Sequence, residues 1–340
     1  MLRRDHVRVS FTLVNASPLL SLSFLQDDLV RLEPELRAAV SSGDEFLDEV
    51  TTHLIAAGGK RLRPGLALAA ATGGTHPAGL DDLSGAVAVE LVHLASLYHD
   101  DVMDEAMIRR NTQTVNARFG NLVAIVAGDF LLARSAEIAA SLGTEIAGLL
   151  ANTLGRLCQG QVTEVRSAFS LARTEDDYFQ AIAGKTAALM ATSCRIGALT
   201  GGLARVEVEA LSTFGRCFGM VFQLRDDILD LIGTEEDLGK LPGQDLAEGV
   251  YTLPVLFALR DPEISPELSA LLGQPLAPPE RDKARAMVTA SGAIDSTLSV
   301  GRRYLQQAVE AAAAVPGAEL GRALAELADS LLTDLPLARR

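Results

Sequence analysis

The sequence predicts an all-α protein, and three observations carry that expectation. Aromatic residues are only 4% of the 340, with no Trp, so a core must be built from Ala, Leu and Val. That composition favours packed helices over β-sandwiches, which draw on β-branched and aromatic residues. Apolar residues recur at helical spacing almost from end to end, separated by Gly or polar breaks. Hydrophobic residues make up 48% and mean hydropathy is +0.22, too apolar for a disordered chain.

The elements follow in order. Residues 24–40 and 44–57 show helical spacing, with Gly43 and Gly58-Gly59 as stops. Pro64 sits where the first turn of the next helix tolerates it. A long helix over 80–104 starts near Asp81-Asp82 and ends in a polar loop. Helices over 122–142, 144–169, 175–200 and 206–232 follow, and Thr174 with Asp177 has the spacing of a capping box. A Gly-rich charged loop, 233–249, precedes a short helix over 252–260. Helices within 281–290, 294–313 and 317–334 complete the chain, and the Pro and Gly of 261–279 do not form an inter-domain linker. Residues 1–24 read as a poorly ordered N-terminal extension without a signal-peptide cleavage site, and 25–340 as one domain.

Thirty Lys+Arg against 44 Asp+Glu give a formal charge of -14. No concentrated basic patch offsets it, which argues against nucleic acid and against adhesion to anionic lipid. Cys158, Cys194 and Cys217 are odd in number and widely spaced, which fits neither a disulfide framework nor zinc and points to the cytoplasm. The longest apolar runs contain Glu90, His93 and Asp129 and are too short for a transmembrane segment.

Two helices end in the same acidic pattern, Asp100-Asp101-Val102-Met103-Asp104 and Asp226-Asp227-Ile228-Leu229-Asp230. The first and last Asp of each are four apart and share one helical face. Like charges at that spacing, near the negative end of the helix dipole, destabilise the helix unless a cation binds. Clustered hard oxygens suit Mg²⁺, which takes one or two protein carboxylates and fills its shell with water and phosphate oxygens. A solvated acidic helix end would explain one such motif, but two on separate apolar helices point to metal. Gly58-Gly59-Lys60-Arg61-Leu62-Arg63-Pro64 places three cations after a Gly pair at a helix start, and Arg109-Arg110 follows the first acidic motif. Both suit a polyphosphate.

The segments GGKRLRP (58–64), LVHLASLYHDDVMDEAMIRRN (91–111), GKTA (184–187) and FQLRDDILD (222–230) resemble those of the trans-isoprenyl diphosphate synthases, or polyprenyl synthetases, in order and spacing. The resemblance implies an all-α, single-domain helical bundle, the isoprenoid synthase fold, around a large central cavity, and a homodimer. It implies head-to-tail (1'-4) condensation of isopentenyl diphosphate with an allylic diphosphate by a prenyltransferase. Asp100, Asp104 and Asp226 would then be direct ligands of a trinuclear Mg²⁺ cluster, with Asp101, Asp227 and Asp230 in support. Lys60, Arg63, His93 and Arg110 would hold isopentenyl diphosphate, and Arg109, Lys185, Gln223 and Lys240 the allylic diphosphate. Thr186 and Gln223 would supply neutral dipoles beside the carbocation, and no side-chain base is required. His99 reads as a packing residue. Many relatives carry Lys where this chain has Val250, which leaves Lys240 as the cation of that loop.

Residues four and five before Asp100 are Ser96 and Ala95, with Val92 a turn further, and none is aromatic. By resemblance, small residues there leave the product tunnel open, with Phe130 or Leu131 as a deeper floor. The expectation is a C30–C50 product, with geranylgeranyl diphosphate synthase as the alternative. A class I terpene cyclase would carry a mixed second metal motif and more aromatics. A regulatory subunit of a heteromeric synthase would have lost an acidic motif or its basic residues. A di-metal carboxylate bundle would need Glu-x-x-His pairs, which are absent.

Overall fold

The computed structural model describes residues 17–238 and 241–337. Its helices are α1 (Leu25–Ala39), α2 (Glu45–Ala56), α3 (Leu62–Thr72), α4 (Leu80–Met103), α5 (Val115–Phe119), α6 (Asn121–Ser141), α7 (Thr144–Ser167), α8 (Glu175–Ile182), α9 (Ala188–Thr200) and α10 (Arg205–Ile232). Then come α11 (Glu235–Leu238), α12 (Gln244–Ala247), α13 (Leu253–Ala258), α14 (Ser265–Leu271), α15 (Pro278–Ala290), α16 (Ala293–Ala313) and α17 (Ala318–Thr333). A hairpin of β1 (Ile108–Arg109) and β2 (Thr112–Gln113) forms the one sheet among the described residues. The all-α expectation holds, and most predicted helix ends fall within two residues of the observed ones. Of the expected N-terminal extension, 1–16 lie outside the described residues; Pro18–Ser21 form a 3₁₀ turn, and Leu19 and Leu22 are buried.

The chain divides into two compact units. One takes the residues up to Ala151 with Thr192–Val208 and Pro316–Ala323; the other takes Asn152–Ala191, Glu209–Val315 and the residues from Leu324 on.

In the first unit α4 is the central helix, packed against α6, α3 and α1. It is buried almost all round, with Ala86, Ala88, Val89, Leu91, Leu94 and Ala95 closed to solvent. Burying each Leu contributes about 1.5–3 kcal/mol. Polar ties set its neighbours: the Tyr98 hydroxyl donates to Val50 O of α2 at 2.7 Å, and Ser135 Oγ of α6 donates to Ala88 O at 2.8 Å. Asp44 caps α2 by accepting from Leu47 N at 2.9 Å, and Asp82 accepts from Gly79 N at the start of α4.

In the second unit α13 packs on α16 and α15. The crossing of α10 over the start of α9 is close: a Cβ on Gly215 would lie 2.6 Å from Met190 O. Arg285 of α15 donates to Leu231 O and, at 3.0 Å, to Gly233 O, so a cation sits on the carbonyl end of α10. The predicted 175–200 helix is interrupted. A π-turn over Ala183–Ala187 separates α8 from α9, and in it Gly184 packs its backbone against that of Gly160. A Cβ on Gly184 would lie 2.6 Å from Arg156 O.

Candidate active site

The first acidic motif closes α4. Asp100 is half-buried and Asp104, its C-cap, is exposed. Asp101 is buried, and its Oδ1 accepts from Arg109 Nε at 2.6 Å. Burial raises the Asp101 carboxyl above the usual range, against Arg109 and Arg110, which pull it down. The Asp101 carbonyl accepts from Ala106 N at 2.9 Å and from Asn116 Nδ2 at 3.1 Å, which folds the chain back into the β1–β2 hairpin.

That hairpin turns on Arg110 and Asn111, with φ of 52° and 56°. Two-residue hairpin turns want positive φ at both centres, a geometry that suits Asn or Gly and strains Arg. The Arg110 side chain uses the strained position to reach the basic loop, donating to Gly58 O. Its guanidinium lies against Gly59, where a Cβ would meet Nη1 at 2.7 Å. Both glycines of the 58–64 motif thus touch Arg110.

Within that loop Lys60 is exposed and Arg63 half-buried. Arg63 Nη1 stands 3.2 Å from His93 Nε2. Burial, then the cationic guanidiniums of Arg63 and Arg110, push His93 well below the ordinary histidine range. Arg61, the middle cation, points inward. Along α4, Val92 and Ala95 are buried, whereas Ser96 is half-buried with its hydroxyl on His93 O at 2.8 Å. Phe130 of α6 is half-buried and Leu131 buried. His99 packs on α6, 3.2 Å from Ile125 O, in space that a Cβ on Gly128 would occupy.

The second motif lies in the other unit. Asp226 is half-buried beside Arg225, at 3.7 Å. Asp227 is buried and accepts from the Tyr178 hydroxyl and, at 2.9 Å, from Gln223 Nε2. Burial, with Asp245 and Asp226 nearby, pushes Asp227 up to about 8. Asp230 is also buried, and its Oδ2 accepts from Asp245 N at 3.3 Å. The π-turn presents Lys185 and Thr186: Lys185 pairs with Glu164, and Thr186 Oγ1 donates to Gln223 Oε1 at 2.7 Å. Val250 is half-buried and its N–H closes a turn on Asp245 O at 2.8 Å. Lys240 lies outside the described residues.

In each motif the second Asp is turned into the scaffold, and an outer Asp is left more open. Among the described residues no group of three His, Cys, Asp or Glu is arranged to hold an ion by itself. The donors fit magnesium nonetheless: all are hard oxygens, and this metal needs only one or two of them beside phosphate. Sequence reasoning missed Tyr178, Glu164, Asn116 and Asp245, which support the motifs from a distance in the chain. No described helix is long and apolar enough to cross a membrane.

Comparison with known proteins identifies the family. The model of the Polyprenyl synthetase family matches residues 44–289. A heptaprenyl diphosphate synthase component 2 from Geobacillus stearothermophilus is 41% identical over 313 residues, 90% of this chain and 95% of the relative. A nonaprenyl diphosphate synthase from Mycobacterium tuberculosis is 38% identical over 88% of this chain and 90% of its own. The crystal structure of a polyprenyl synthase from Caulobacter crescentus, complexed with calcium and isoprenyl diphosphate, superposes with a TM-score of 0.85 at 32% identity, over 94% of this chain and 97% of that one. The chain therefore belongs to the polyprenyl synthetase family and is a prenyltransferase that makes prenyl diphosphates.

Proposed function

We propose that the protein extends an allylic diphosphate with isopentenyl diphosphate, by Mg²⁺-dependent 1'-4 condensation, to a trans-polyprenyl diphosphate of C30–C50. The observation that carries the reading is the coupling, in one unit, of an acidic helix end to a cationic loop. Arg109 bonds Asp101 while Arg110 bonds Gly58. In this reading Asp100, Asp104 and Asp226 hold the metal, with Asp101, Asp227 and Asp230 behind them. When bound, magnesium supplies neutralisation of the charge that builds on the leaving diphosphate. Lys60, Arg63, His93 and Arg110 hold isopentenyl diphosphate; Arg109, Lys185, Gln223 and Lys240 hold the allylic diphosphate. Thr186 and the Gln223 amide turn neutral dipoles towards the allylic carbocation left when the C–O bond ionises; the isopentenyl double bond attacks that cation, and the condensed cation then gives up a proton to the departed diphosphate. His93, held neutral, orients Arg63 and moves no proton.

The product range is supported by Ser96, one turn before Asp100 on the same face, and by the hepta- and nonaprenyl names of the relatives. Residues 25–340 act as one synthetase domain, and free, buried Cys194 and Cys217 suit the cytoplasm. A homodimer is supported by α6, which exposes Leu122, Ile125 and Val126 along one stripe. A second reading is favoured by the component 2 relative: this chain could work beside a different subunit.

Incubation of the purified protein with Mg²⁺, isopentenyl diphosphate and each allylic primer, followed by mass analysis, tests both. A ladder ending between C30 and C50 supports the first reading, and one ending at C20 shortens the product to geranylgeranyl. No elongation by folded protein alone favours the two-subunit reading. Light scattering checks the homodimer.

A further inference from the structure

Of the three cations that follow the glycine pair, Arg61 faces neither solvent nor an open site. Its side chain is 1% exposed. Its Nε donates to Glu33 Oε1 at 2.6 Å and its Nη2 to Glu33 Oε2 at 3.2 Å. Its Nη1 donates to Glu90 Oε1 at 2.8 Å, and Nη2 also reaches Ile55 O at 3.3 Å. One guanidinium thus joins α1, the end of α2 and α4. A buried cluster of this kind adds little net stability over an apolar core of the same shape, because desolvation offsets most of the attraction. It does fix direction, since the planar fork bonds its acceptors in one geometry only. The backbone bears a cost for it: Arg61 sits at φ 45°, in the left-handed region, as the N-cap of α3.

Glu90 and His93 are three apart on α4 and share a face. Arg61 bonds the first and Arg63 the second. The loop is thereby stitched to α4 at two points a turn apart, with Lys60 and Arg63 on either side of the inner stitch.

We propose that Arg61 is a positioning residue for isopentenyl diphosphate: anchored by Glu33 and Glu90, it sets where Lys60 and Arg63 present their charges. The proposal rests on the reading that Lys60 and Arg63 hold that substrate. Arg61 itself touches no substrate; it acts through its neighbours.

The test compares the full-length enzyme with Arg61→Lys, Glu90→Gln and, as a control on the parent reading, Lys60→Ala. Arg61→Lys keeps the charge and loses the fork; Glu90→Gln keeps the shape and weakens one stitch. The expected result in both is a KM for isopentenyl diphosphate raised about tenfold, with kcat, the allylic KM and the Tm little changed. Should Arg61→Lys not fold, Glu90→Gln carries the same split alone. If Lys60→Ala raises the isopentenyl KM and the other two do not, the positioning role is overturned. It is equally overturned if they lower Tm and impair both substrates together. If Lys60→Ala leaves that KM unchanged, the assignment of the loop to isopentenyl diphosphate fails, and the proposal with it.

Discussion

Arg63 Nη1 meets His93 Nε2 at 3.2 Å, and because a guanidinium can only donate, that imidazole nitrogen is the unprotonated one. His93 is therefore held neutral by burial and by the surrounding cations, well below the ordinary value of 6.5. In the unfolded chain it regains that ordinary value and takes up a proton as pH falls through it. The stability tied to neutral His93 is present above about 6.5 and is lost as pH falls towards the folded value. Thermal unfolding between pH 5 and 8 should show a steeper acid-side decline in the wild type than in His93→Asn. Parallel curves would refute a neutral histidine.

Tyr178→Phe removes the hydroxyl that donates to buried Asp227. An under-satisfied buried acceptor costs about 1–3 kcal/mol. The urea midpoint should fall accordingly, and the Mg²⁺ concentration for half-maximal activity should change. A variant as stable as the wild type would show the bond to be dispensable.

Gly184→Ala forces a Cβ to within 2.6 Å of Arg156 O. Overpacking of this kind costs about 1–3 kcal/mol. The backbone that must yield carries Lys185 and Thr186, so kcat should drop along with Tm. Loss of Tm with kcat intact would separate the crossing from the site.

Ser96→Phe and Ala95→Phe are expected to differ. Ser96 is half-buried on the face of Asp100, so a ring there should shorten the longest product seen by mass analysis. Ala95 is closed in the α4 packing, so Phe there should first lower Tm, by the overpacking cost of about 1–3 kcal/mol. An unchanged ladder from folded Ser96→Phe would place the tunnel elsewhere.

Much of this was legible in the sequence. Periodicity located the long helices, and Thr174 with Asp177 does form the expected capping box. The two acidic motifs and the 58–64 loop announced themselves because their charges are dense in otherwise apolar stretches. What was hidden depends on pairs distant in the chain. The π-turn lies where Gly184 meets Gly160, and no local pattern states that contact. The short α5 and α14 were lost among polar and Pro-rich residues, where a few turns leave no measurable period. By sequence Arg61 reads as one of three cations for a polyphosphate, and only Glu33, 28 residues before it, and Glu90, 29 after, turn it inward.

The β1–β2 turn has one more meaning. Adjacent residues Arg109 and Arg110 pull on opposite neighbours, the buried Asp101 and the carbonyl of Gly58. They act as a yoke between segments that the chain separates by some forty residues. Arg109 closes β1 and Arg110 opens the turn, so adding or removing a single residue between Asp101 and Arg110 would shift both side chains off their partners. The spacing of these four residues, together with the two guanidinium groups, is what couples the acidic helix end to the cationic loop.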